Sequence, residues 1–283
     1  MEKLTLSRKT TTCTWVVITV LSAGTVFMGF NAGWGVIKVT LVIIAYVLVI
    51  PFSVLFTKAT IDQKVLRKKF ANLQPLLDEK CDPCMYIKGL LPLMVKYRYI
   101  LDQNNIFDIC MNVSLVVAYI ADGQNDTAME AICGLAEKYR TKKIDTRMVF
   151  LINMALVSAN IADKNLAEAK KHFKQAKLSQ SHFSVQKLVI IRQKSTALFE
   201  QSITRIEAAL TLLEKRYEEA LTAHKQLWLM AQNSQHTKVA IQHNLAEAYE
   251  ALGEIQKRDE CLNYVANNGN TLHIARLARE KLR

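Results

Sequence analysis

Asn244-Leu245-Ala246-Glu247-Ala248-Tyr249-Glu250-Ala251-Leu252-Gly253 is the stretch from which the rest of this chain can be read. It is dense in strong helix formers and stops at a glycine. Leu245 and Ala246 stand side by side, Tyr249 follows one turn later, and Gly253 closes the run. Residues three and four apart share a helix face. The small Ala246 admits a close neighbour, Tyr249 fills the space beside it, and glycine ends a helix without a Cβ penalty. A helix of this kind cannot bury its face alone, so further copies are expected upstream.

Three such copies exist. In residues 109–142, Leu115, Val116, Tyr119 and Gly123 repeat the pattern, and Ala128, Ile132 and Leu135 follow on a second helix. From Phe150, Leu156 and Val157 lead to Ala169, Phe173 and Ala176, with Lys164 in the glycine's place. From Gln201, Ala208 leads to Tyr217-Glu218-Glu219-Ala220 and Leu227. Here Lys215 replaces the glycine and His224 takes the bulky position. After the opening stretch itself, Arg258 stands where an alanine is expected, with Leu262 and Val265 behind it.

The pattern resembles the tetratricopeptide repeat. That family has a period of 34 residues. The second-helix marker here falls at Ala128, Ala169, Ala220 and Arg258, so the spacing is wider and uneven. Longer helices and an added helical stretch over 184–201 are therefore expected. Residues 272–283 read as a capping helix with Ile274, Leu277, Ala278 and Leu282 on one side.

The resemblance implies a superhelix whose concave face comes mainly from the first helix of each repeat. In that frame the groove presents Val113 and Val117, then Met154 and Ser158, then Arg205, and finally His243 and Glu247. The implied partner is an unidentified protein or peptide. The Lys and Asn clamp that family members use for chaperone tails is missing. The front half of the groove is apolar, and the expectation is that the Asp82–Leu101 helix fills it from within.

The chain before these copies belongs to a different solvent. No charged residue lies between Lys9 and Lys38, and none between Lys38 and Lys58. Residues 12–30 and 36–56 each approach the roughly 20 apolar residues that cross a bilayer as a helix. Asn31-Ala32-Gly33-Trp34-Gly35 forms the turn between them. Neither segment carries an acid or histidine, so an anchor is expected rather than an ion path. Lys3, Arg8 and Lys9 precede the first segment, and Lys58, Lys64, Arg67, Lys68 and Lys69 follow the second. The positive-inside rule then places both termini, and the repeats, in the cytoplasm. The expected site is the plasma membrane, crossed more than once.

The expected fold class is all-α: an N-terminal transmembrane helical hairpin followed by a tetratricopeptide-like α-solenoid. The divisions fall at 1–57 for the anchor, 58–105 for connecting helices and 106–283 for the repeats. Residues 58–73 read as an amphipathic helix, with Ile61, Val65, Leu66, Phe70 and Leu73 opposite the bases. Lys64, Arg67, Lys68 and Lys69 are expected to face anionic lipid headgroups, at about 1 kcal/mol per base. Pro75 should end that helix. The next should start at Asp82-Pro83, break near Gly89 and Pro92, and run on to about Leu101.

Net charge is +12, which favours anionic partners without choosing among them. Nucleic acid is not the expected one, because no reader motif or aromatic platform accompanies the charge. The six cysteines (Cys13, Cys81, Cys84, Cys110, Cys133, Cys261) do not form a secreted disulfide framework. Cys81-Asp82-Pro83-Cys84 has catalytic-looking spacing, but no βαβ context surrounds it. The histidines show no metal spacing, and there is no phosphate loop or nucleophile elbow. The reading is a membrane-anchored scaffold without catalytic residues, cofactor or metal. Two other readings stand beside it: a thiol-active or metal-binding membrane protein through Cys81 and Cys84, and a basic, membrane-bound, nucleic-acid-associated regulator.

Overall fold

The computed structural model describes residues 58–184, 192–229 and 234–283, and every regular element among them is a helix. The expected membrane hairpin lies outside the described residues, as do 185–191 of the added stretch expected over 184–201; 192–201 are helical. The chain divides into two units, Met1–Arg67 and Lys68–Arg283.

Helix α1 occupies residues 58–78. It runs through Pro75, which was expected to end it. A proline inside a helix removes one N–H, yet the turn continues: the Pro75 carbonyl accepts from the amides of Glu79 and Lys80. Lys64, Arg67, Lys68 and Lys69 are all exposed, and so are Ile61 and Val65.

In the second unit, α2 spans Pro83–Lys96 and α3 spans Arg98–Gln103. Asp82 caps α2 by accepting from the Met85 amide at 3.1 Å. The expected break at Gly89 and Pro92 does not occur. The helix stops instead at Tyr97. Gly89 serves close packing, since a Cβ there would lie 2.6 Å from Leu73 Cδ2.

Four helix pairs follow: α4 (Asn105–Asp122) with α5 (Asn125–Arg140), α6 (Thr146–Ala162) with α7 (Leu166–Ser184), α8 (Arg192–Leu213) with α9 (Tyr217–Leu229), and α10 (Gln235–Ala251) with α11 (Ile255–Asn268). Helix α12 (His273–Lys281) ends the chain. Among the described residues α4 is long and apolar enough to cross a membrane. It is instead the helix against which α2, α5 and α6 pack, with Ile109, Met111, Leu115 and Val116 buried.

All four pairs turn in the same way. In the first, the Gly123 amide donates to the Ile120 carbonyl and the Gln124 amide to the Tyr119 carbonyl. The same two bonds recur at Lys164 and Asn165, at Lys215 and Arg216, and at Gly253 and Glu254. The four turn residues share a left-handed backbone, with φ of 84° at Gly123, 57° at Lys164, 64° at Lys215 and 76° at Gly253. This is the Schellman stop, in which one left-handed residue turns its own amide and the next back to donate to orphan carbonyls of the last helical turn. The lysines adopt it at a steric cost that glycine does not incur.

Burial repeats along with the turns. Five residues beyond each turn residue stand Ala128, Ala169, Ala220 and Arg258; the three alanines are fully buried. Arg258 cannot be buried bare, and its guanidinium pairs with Asp259 at 2.7 Å and approaches Glu250 at 3.7 Å. The bulky positions Ile132, Phe173, His224 and Leu262 are all buried. The first pair carries an extra clamp: buried Asp108 accepts from Lys138 Nζ at 2.7 Å and from the Tyr139 hydroxyl at 2.8 Å.

Candidate functional site

The array does not stay open. At its C-terminal end the turn before α12 returns to the start of the unit. Asn270 Nδ2 donates to the Lys80 carbonyl at 2.9 Å, and Thr271 Oγ1 reaches Asp82 Oδ1 at 3.3 Å. Arg276 donates to the Asp122 carbonyl at 2.6 Å and lies 3.4 Å from its carboxylate. His273 packs so closely on Gly123 that a Cβ there would meet its Cγ at 2.6 Å. Cys81, with φ of 53°, is inserted into the C-terminal core among residues such as Val239, Leu245 and Leu272.

This closure turns part of the expected groove into a hollow. Two cavities of about 270 Å³ and 320 Å³ share Val117, His236, Ala240 and Asn244 as walls. One extends over Ile120, Ala121, Ser158, His243, Leu272 and Ile274. The other extends over Asp78, Arg205, His224 and Thr237. The helix periodicity explains the wall from α10. Residues 236, 240, 243, 244 and 247 fall on one face at steps of three and four.

Of the expected groove residues, Val117, Ser158, Arg205 and His243 come together around this hollow. Val113 and Met154 do not line it; they are half-buried against the cores of the first and second pairs. Glu247 lies just beyond, exposed, with its carboxylate 3.7 Å from His243 Nε2. The body of α2, expected to fill the groove, is absent from both cavity walls and packs on α4. Asp78, at the end of α1, reaches the hollow instead. Ile274 of the cap lines the hollow as well, while Leu277, expected on the packed side, is exposed and Ala275 is buried in its stead.

The hollow is electrostatically unusual. Arg205 donates from Nη1 to Thr237 Oγ1 at 3.1 Å, and burial lowers its pKa while Asp78 opposes that change. Burial, followed by the neighbouring Glu79, raises the Asp78 carboxyl, and Arg205 partly offsets the rise. Burial pushes His224 down to about 4, and burial with Arg205 nearby pushes His236 down to about 4. His243 is lowered, again by burial first, against the opposing charge of Glu247. Both ring nitrogens of His224 and Nδ1 of His243 are buried without a hydrogen-bond partner of normal geometry. The Ala208 backbone is the polar group that His224 faces.

Burial, with Asp78 adding to it, pushes the Cys81 thiol up to about 11, so the thiolate that redox chemistry needs is disfavoured. Cys81 and Cys84 are both free thiols. Among the described residues no three His, Cys, Asp or Glu side chains gather as a metal site.

Sequence reasoning missed Asp78, His236 and Asn244 as wall residues. The spacing of His236 and Asn244 from His243 on α10 was a legible signal. That of Asp78 was not, because it depends on the closure.

Four pairs with one turn geometry and one burial pattern decide the fold. It is an array of paired helices whose pattern resembles the tetratricopeptide repeat. The chain is similar to two solved structures from Podosopora anserina, both described as kinesin light chain with nearly identical TPR-like repeats, one of them a single-substitution variant. Each is 19% identical to it; they cover 76% and 77% of this chain and 95% and 96% of their own, with TM-scores of 0.40 and 0.41. No family model and no curated protein matches the chain.

Proposed function

We propose that the chain is a membrane-anchored, non-catalytic protein-interaction scaffold of tetratricopeptide type. Two N-terminal spans hold it in the plasma membrane, with both termini and the repeats in the cytoplasm. The observation that carries the interaction reading is the hollow: the first helices of all four pairs contribute to it through Val117, Ser158, Arg205 and His243. Such convergence of repeat faces is how helical solenoids form a recognition surface. The partner is a protein or peptide seated over Val117, His243 and the neighbouring Glu247. The anchor reading rests on the two uncharged segments and the bases that flank them. Lys64, Arg67, Lys68 and Lys69, exposed on α1, supply the contact with anionic headgroups.

Photocrosslinking in native membranes tests the reading. With a photoreactive residue at Val117 or Glu247, one and the same protein should be captured at both positions and not at Lys174, which is exposed on the second helix of its pair. Identical adducts at all three positions, or none at Val117, would overturn the groove assignment. The chain should also stay in the pellet after alkaline extraction of membranes; release into the supernatant would remove the anchor.

A further inference from the structure

We infer that the half-open hollow is a binding site for a small monocarboxylate with an apolar body, complete within one chain. This goes beyond the scaffold reading, because the ligand is small and needs no second protein.

The two cavities adjoin, with Val117, His236, Ala240 and Asn244 lining both. Around Val117, Ile120, Ala121, Leu272 and Ile274 the lining is aliphatic. The other is also largely apolar, through Leu227, Ile241 and Ala240, but carries the polar side chains of Arg205, His224, His236 and Thr237. Each is about ten water volumes in size at ~30 Å³ per water. That suits a headgroup with a chain of a few carbons.

The polar end asks for an anion. Arg205 carries the fixed positive charge, and among the described residues no carboxylate lies within ion-pair distance of it. A guanidinium matches a carboxylate with two parallel donors. His224 is 1% exposed and lines the same compartment; neither ring nitrogen has a hydrogen bond of normal geometry, and the Ala208 backbone is the polar group it faces. A neutral imidazole always has one N–H to give. A carboxylate oxygen in this compartment offers that N–H an acceptor. Asp78 is the resident competitor: it faces the same space and acts on Arg205 through it. A cationic or purely apolar ligand would leave Arg205 and His224 unanswered.

The probe is hexanoate, titrated by calorimetry into the full chain in nanodiscs, with hexanol, hexylamine and empty nanodiscs alongside. One hexanoate should bind per chain, at least about tenfold more tightly than hexanol or hexylamine, as expected for one charge-assisted hydrogen-bonded pair. Arg205→Leu should weaken it by about tenfold or more. Asp78→Asn should tighten it severalfold, a gain that misfolding cannot imitate. A short peptide ending in Ala-Leu distinguishes the sources: if it competes with a free C-terminus but not as the amide, the carboxylate belongs to a peptide end. If it does not compete, the site takes a free acid. Hexanol binding as tightly as hexanoate, no binding of any probe, or an Asp78→Asn chain with unchanged affinity would each overturn the assignment.

Discussion

At the bulky position of its second helix the first repeat carries Ile132 and the third carries His224. Both side chains are inaccessible, at 0% and 1% exposure. Ile132 sits in an aliphatic cluster with Ile109, Val116 and Leu135. His224 occupies the same place in its pair, but its polar atoms find no partner there and its ring lines the hollow. The turns differ in the same direction: Gly123 adopts its left-handed backbone freely, while Lys215 does so against a Cβ. The first helix of the third repeat also lacks the paired leucine, with Glu207 before Ala208. In the third pair Arg205, His224 and Leu227 line the hollow. One repeat is built for packing, and the other gives up packing to place Arg205 and His224.

The comparison can be broken in three ways. Ile132→Ala leaves a cavity in a close-packed cluster and should cost about 2–5 kcal/mol, read as a drop in the unfolding midpoint of the solubilised chain. His224→Leu should do the opposite. Removing two unpartnered buried nitrogens should stabilise by about 1–3 kcal/mol. If His224→Leu destabilised as much as Ile132→Ala, the ring would be making hydrogen bonds and the contrast between the repeats would fall. The same variant has a signature in pH. The unfolded ring takes its proton near 6.5 and the buried one only near 4. Stability should therefore be level above about pH 6.5 and fall between 6.5 and 4, as the unfolded state binds more protons. His224→Leu should make that fall shallower without abolishing it, because His236 is lowered to about 4 as well.

The smallest effect concerns the turns. Lys215→Gly should stabilise by about 0.5–1 kcal/mol by relieving the left-handed strain, and Lys164→Gly should behave alike. The reverse change, Gly123→Ala, should cost more than this. The new Cβ would meet both the positive φ and the His273 ring. A Gly123→Ala chain as stable as the parent would mean that α12 does not close on α4.

Much of the fold was legible. Gly123 and Gly253 announced their turns, and Lys164 and Lys215 were found by counting from the apolar positions around them. The buried small residues Ala128, Ala169 and Ala220 followed from the same frame. Other features were misread for local reasons. Pro75 and Pro92 carry the usual helix-breaking signal, yet both helices run through them, and Gly89 is a contact with Leu73. Leu277 looked like core by periodicity, whereas the cap is rotated so that Ala275 and Ala278 face inward.

The sequence alone determined that helices pair, where they turn and which face of each is buried, because those properties depend on spacings of three to five residues. It also placed Val117, Ser158, Arg205 and His243 on a common side of successive repeats. Only the tertiary structure decided that the side is closed. The bonds from Asn270 and Thr271 to residues 80–82, and from Arg276 to Asp122, join positions separated by 154 to 190 residues. No periodicity reaches that far. Asp78 meets Arg205 across the hollow because the last turn of the array packs on the first.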